Sequence, residues 1–127
     1  MTKSQVLTDD APKPLGTYSQ GIRAGNFLFT AGQVGIDPAT GELAGDTIEA
    51  QTTQVIKNLT AILAAESATL ADVVKVTAFL ADMSLFPGYD AVYRAHFPEP
   101  FPARSSVGVN LGRYLVEIEL VAVVADE

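Results

Sequence analysis

The segment "LVEIELVAVV" from Leu115 to Val124 constrains this chain more than any other stretch. Side chains of a strand alternate between faces, so Val116, Ile118, Leu120, Ala122 and Val124 share one side, and Leu115, Glu117, Glu119, Val121 and Val123 share the other. The first face is wholly apolar and belongs under helices. The second mixes apolar residues with two carboxylates, and Phe27 and Phe29 are expected to extend it from a neighbouring hairpin. Such a surface is too apolar to stay wet throughout. With helices on the opposite side, a second copy of the chain is the natural cover, and closed cyclic symmetry would keep the assembly finite.

The remaining elements follow from periodicity. Ile48, Val55, Ile56, Leu59, Ile62 and Leu63 fall on one face of a helix running from Asp46 to about Ser67, and Asp46 and Glu49 are spaced as a capping box. A second helix is expected from about Ser84 to Phe97. There Phe86, Tyr89, Tyr93 and Phe97 recur at helical spacing, and Pro87 is tolerated because it falls in the first turn. That aromatic stripe reads as core rather than as a ligand site. Strand signals cover Ser19 to Arg23, Phe27 to Ala31, Val73 to Leu80, Ser105 to Val109 and Leu115 to Val124, and "GIDPATGEL" from Gly35 reads as a loop. The order β-β-α-β-α-β-β over a single domain, residues 1–127, suits an α+β fold with both helices on one face of a mainly antiparallel sheet.

Composition removes several kinds of chemistry. With no cysteine there is no disulfide, thiolate nucleophile or sulfur-ligated metal. His96 is the only histidine, so neither a metal pair nor a catalytic triad is available, and it reads as a helix-end or surface residue. No metal and no other cofactor is expected. The net charge is −7 with the eight basic residues spread singly, which argues against nucleic acid as a partner. The amino terminus carries no apolar leader, and no run approaches a membrane span, so the expectation is a soluble cytoplasmic protein without a membrane partner.

Two charged positions then stand out, Arg104 beside Pro102 and Glu117 inside the last apolar run. One reading is structural: Glu117 and Glu119 are rim charges, or pair with Arg104, Arg113 or Lys75. The other is chemical. Arg104 would hold a substrate carboxylate through its planar fork, and Glu117 would move a proton or orient water. A carboxylate in a partly dry site can carry a pKa suited to that work.

"APKPLGTYSQG" from Ala11, "FTAGQVGIDPATGEL" from Phe29, "FPARSSV" from Phe101 and "VEIELVAV" from Val116 together resemble the Rid (YjgF-like) family over nearly the whole chain. The resemblance implies a chorismate-mutase-like α+β fold and a homotrimer with clefts between subunits. For the RidA branch it implies hydrolysis of 2-imino acids to 2-keto acids and ammonia. It assigns carboxylate binding to Arg104, water activation to Glu117 and a cleft position to Tyr18, with Ala31, Gly32 and Ser106 lining the pocket. Relatives often have serine at Ala31, cysteine at Ser106 and asparagine at Asp90. The first two differences lower the polarity of the pocket, and Asp90 would disfavour some anionic substrates if it faced the cleft. Two alternatives stay open: a pathway-specific relative acting on another enamine or imine, and a non-catalytic binding or chaperone-like trimer. The ribonuclease activity attributed to the family fits poorly with the acidic charge and the lone histidine.

Overall fold

The structure is a computed structural model and describes residues 2–125. Its elements are β1 (Lys3–Val6), β2 (Gly21–Ala24), β3 (Phe27–Thr30), β4 (Gln33–Val34), α1 (Ile48–Ala64), β5 (Val73–Leu80), α2 (Phe86–His96), β6 (Ala103–Gly108) and β7 (Val116–Val123). They form one sheet in the order β1-β2-β3-β7-β5-β6, with β4 also paired to β7. Every pairing is antiparallel except β5–β6, and the crossover that a parallel pair requires is supplied by α2. The expected α+β class and mainly antiparallel sheet are observed.

β7 lies inside the sheet, and its alternation divides the molecule as expected. Val116, Ile118, Leu120, Ala122 and Val124 are buried together with Val55, Ile56, Leu59, Ile62 and Leu63 of α1. On the other side Phe27, Phe29 and Val123 remain 46%, 44% and 42% exposed, and the two phenyl rings stack with centroids 6.4 Å apart. Leu115 departs from the expected face. It precedes the strand, donates its N–H to Gln51 Oε1 at 2.9 Å and packs against the core.

Three local expectations are corrected. The cap of α1 is Thr47, whose hydroxyl accepts from the Ala50 N–H at 3.1 Å, and not Asp46 with Glu49. Asp46 and Thr47 can both cap, and the burial of Ile48 as the first helical residue sets the phase. The second helix opens with a 3₁₀ turn, Met83–Leu85, capped by Asp82, before α2 itself begins at Phe86. Two short strands, β1 and β4, join those expected from the sequence. At the far end of α1, Ser67 sits at φ +58° and the Ala68 N–H returns to the Leu63 carbonyl at 3.0 Å, which closes the helix.

Among the described residues no helix is long and apolar enough to cross a membrane. The segment between β1 and β2 is tied down by Gln20. This fully buried side chain accepts from the Thr8 N–H at 2.8 Å and donates to the carbonyls of Thr8, Ala11 and Pro12. It thereby holds both ends of the strap that carries Tyr18.

Candidate active site

Strand register decides where the two charged residues point. In β6, Arg104 is paired with Val76 of β5, and Val76 is fully buried under the helices. In β7, Glu117 is paired with Phe79 of the same β5, an odd number of residues further on. Arg104 therefore faces α2, and Glu117 faces the opposite side of the sheet. Within one chain they belong to two separate cavities.

The first cavity, about 250 Å³, is lined by Asp90, Tyr93, Arg94, Phe101, Pro102 and Arg104. The Arg104 guanidinium lies 4.5 Å from the centre of the Tyr93 ring, with the Phe86 and Tyr89 rings at 5.4 and 5.5 Å. Its Nη1 donates to Asp90 Oδ1 at 2.7 Å, while Arg94 Nη2 reaches Asp90 Oδ2 at 3.3 Å. One carboxylate is thus shared by two arginines. The hydrogen bond from Arg104 is the main reason the Asp90 pKa is held below its ordinary value, against the opposing effect of burial. Burial disfavours the Arg104 charge, but the Asp90 hydrogen bond and the surrounding groups more than offset it, and its pKa rises. Burial also pushes the Tyr93 phenol up to about 12, so it stays neutral.

The aromatic stripe of α2 is therefore core and site floor at once. Tyr89, Tyr93 and Phe97 are buried as expected, and the edge of the same stripe carries the guanidinium. Ser106 stands on the same face two residues beyond Arg104, its Oγ 3.4 Å from the Tyr89 hydroxyl, and supports the cavity from behind rather than lining it.

The second cavity, about 220 Å³, contains Tyr18, Gly32, Tyr114, Lys13, Gln33 and Glu117 among its lining residues. Glu117 is partly buried, and its pKa is raised first by burial and then by the neighbouring charge of Glu119. A Cβ placed on Gly32 would lie 2.5 Å from Glu117 Oε2 and 2.8 Å from its Cδ, so only glycine leaves the carboxylate its present position. Tyr18 is half exposed, and its hydroxyl accepts from the Leu15 N–H at 3.3 Å. Ala31 is bonded through its N–H to the Gln20 carbonyl at 2.9 Å and sets the turn into Gly32 without lining the cavity itself.

The structure brings Tyr18, Gly32 and Glu117 together and sets Arg104 and Ser106 apart from them. The expected alternative pairings of the glutamates are not made: among the described residues neither Glu117 nor Glu119 is in an ion pair, and Arg104 is held by Asp90. Among the described residues no group of three His, Asp or Glu side chains is placed to hold a metal ion. His96 is exposed at the end of α2, its Nδ1 2.8 Å from the Val92 carbonyl. Sequence reasoning missed Arg94 and the site role of Tyr93. The available signal was "YDAVYR", which puts an acid and a base four residues apart on one helix face next to the stripe.

Residues 8–124 match the family described as Endoribonuclease L-PSP. The chain is 49% identical over 122 residues to a RutC family protein of Pyrococcus horikoshii, covering 94% of this chain and 97% of that one. It is 38% identical over 124 residues to a 2-iminobutanoate/2-iminopropanoate deaminase of Dermatophagoides farinae, covering 96% and 97%. Its fold superposes on RidA from an Antarctic Psychrobacter with a TM-score of 0.91 at 40% identity, over 95% of this chain and 99% of that one. Motifs, fold and matched length agree, and the chain belongs to the Rid family, the family also described as Endoribonuclease L-PSP.

Proposed function

We propose that this protein is an imine deaminase that hydrolyses 2-imino acids to 2-keto acids and ammonia, in a homotrimer whose sites lie between subunits. Arg104 of one copy would work with Glu117 and Tyr18 of the next. The observation that carries this reading is the division of the charged groups between opposite faces of one sheet. Each cavity holds half of what the reaction needs, and the exposed Phe27, Phe29 and Val123 supply an apolar surface through which a second copy can be joined.

The chemistry divides in the same way. Arg104 is fixed by Asp90 through Nη1, which leaves Nη2 and Nε to take the substrate carboxylate. Glu117 is poised as a base. It accepts a proton from water as the oxygen adds to the imine carbon, and the C=N bond becomes a C–N single bond. The proton then passes from Glu117 to nitrogen, giving a carbinolamine, whose hydroxyl proton is carried to nitrogen in turn as the C=O bond forms, the C–N bond breaks and ammonia leaves. Atoms and charge balance with water as the only co-reactant. Tyr18 closes the pocket from the strap. The relative from Dermatophagoides farinae, whose name gives it this activity, supports the substrate class.

The test is a coupled assay in which an amino-acid oxidase or threonine dehydratase generates the imine while semicarbazide traps what remains unhydrolysed. Faster loss of trappable imine with the wild type, and not with Arg104→Ala or Glu117→Gln, is expected. Equal trapping with and without the protein over a panel of side chains would overturn the assignment and favour a binding module.

A further inference from the structure

Asp90 is placed to do more than steady Arg104. It accepts from Arg104 at 2.7 Å and from Arg94 at 3.3 Å, and all three residues line the same cavity. Two guanidiniums and one carboxylate leave a single uncancelled positive charge. The other titratable groups on this side, Tyr89 and Tyr93, have raised pKa values and stay neutral. In the second cavity Lys13 is paired with Asp9 at 3.8 Å, and Glu117 makes no ion pair among the described residues, so no free positive charge is added there.

Resting on the deaminase reading, we propose that Asp90 is a specificity-determining residue that matches the site to substrates carrying one carboxylate and rejects 2-imino dicarboxylates. A monocarboxylate meets the surplus charge and leaves the cluster neutral. A second carboxylate on the substrate side chain finds Arg94 already engaged and Asp90 presenting like charge at close range, an arrangement that discriminates against the wrong partner. Neutral and basic side chains meet no such opposition. The favoured substrates are therefore imines from neutral or cationic amino acids, and the excluded ones are those from aspartate and glutamate.

The experiment compares wild type with Asp90→Asn, which keeps shape and removes the charge, and with Arg94→Gln on the exposed arm of the cluster. Two quantities are measured: kcat/KM for imines generated by amino-acid oxidases from leucine and from glutamate, and calorimetric affinity for 2-oxobutyrate and 2-oxoglutarate. Asp90→Asn should raise the dicarboxylate-to-monocarboxylate ratio about tenfold or more in both. Arg94→Gln should weaken 2-oxobutyrate binding severalfold without raising that ratio. A ratio unmoved by Asp90→Asn, or a wild type that handles both substrate classes alike, would overturn the proposal even if deamination is robust. If the wild type hydrolyses no imine, the deaminase reading fails, and the keto-acid affinities still decide whether Asp90 selects by charge.

Discussion

Arg104 and Glu117 occupy opposite faces of the same sheet, each set by its pairing with β5, where Val76 opposes the arginine and Phe79 opposes the glutamate. If the two meet only between copies, variants lacking one or the other should complement. Mixing Arg104→Ala and Glu117→Gln chains at equal ratio, with unfolding and refolding together, should restore roughly a quarter of wild-type turnover, because each mixed trimer regains one site in three. No recovery in demonstrably mixed trimers would sink the shared site. Arg104→Lys should rescue little on its own, since an ammonium cannot reproduce the planar fork.

The proximity of Gly32 to Glu117 gives a second test. Gly32→Ala would put a methyl group within 2.5 Å of Glu117 Oε2, and the flexible carboxylate would have to move aside. Turnover should fall by at least about tenfold, as expected for a displaced base, while the thermal midpoint changes little. Retention of full activity would show that the carboxylate does not act from its present position.

Glu117 should also set the acid limb of the pH profile. Its pKa is raised by burial and by Glu119, and it must be ionised to act as a base, so kcat/KM should begin to fall at higher pH than for an ordinary carboxylate. Glu119→Gln removes the like charge and should shift that limb towards lower pH, while Glu117→Gln should cost about 10²-fold or more in turnover. The stability effect has the opposite sign. A folded pKa above the unfolded value of about 4.3 means that protonation favours the fold, fully so below the unfolded value, and that this stabilisation is lost as pH rises through the folded pKa. Glu117→Gln should therefore melt higher than wild type at neutral pH, and the difference should close in acid.

Gln20 is expected to dominate the stability of the strap. Gln20→Ala strands the Thr8, Ala11 and Pro12 backbone groups it now satisfies, at a cost of about 2–3 kcal/mol in denaturant unfolding. Turnover should drop as well through the loosened Tyr18, and an unchanged unfolding midpoint would contradict the anchoring role.

Ser67 offers a gain in stability. At φ +58° it occupies a conformation that glycine adopts without strain, so Ser67→Gly should stabilise by a few tenths to about 1 kcal/mol, far from either cavity and without effect on turnover.

Much of the fold was legible because burial imposes a period. The faces of β7 and the stripe of α1 follow from apolar residues that have one place to go. β1 was not legible, because "KSQV" is polar and mostly exposed and joins the sheet through its backbone pairing with β2. The cap of α1 was misplaced by one residue because the choice between Asp46 and Thr47 rests on tertiary burial of Ile48. Arg104 and Glu117 were each legible as residue types in context. That they face apart was not, since alternation orders side chains within a strand and leaves open how β6 and β7 register against β5. Nor did the sequence show that Asp90 would be drawn to Arg104, a contact that requires α2 to lie across the end of β6.

The crossover from β5 through α2 to β6 gives the two halves of the site different histories during folding. Asp90, Tyr93 and Arg104 come from one short contiguous unit whose contacts close small loops, whereas Tyr18, Gly32 and Glu117 come from near the two ends of the chain. Loop closure is less costly for the first group, so the anion-binding half can assemble while β3 and β4 are still seeking β7. Pulse-labelled amide exchange should find β5 and β6 protected before β4, with the carboxylate half as the last part of the molecule to take shape.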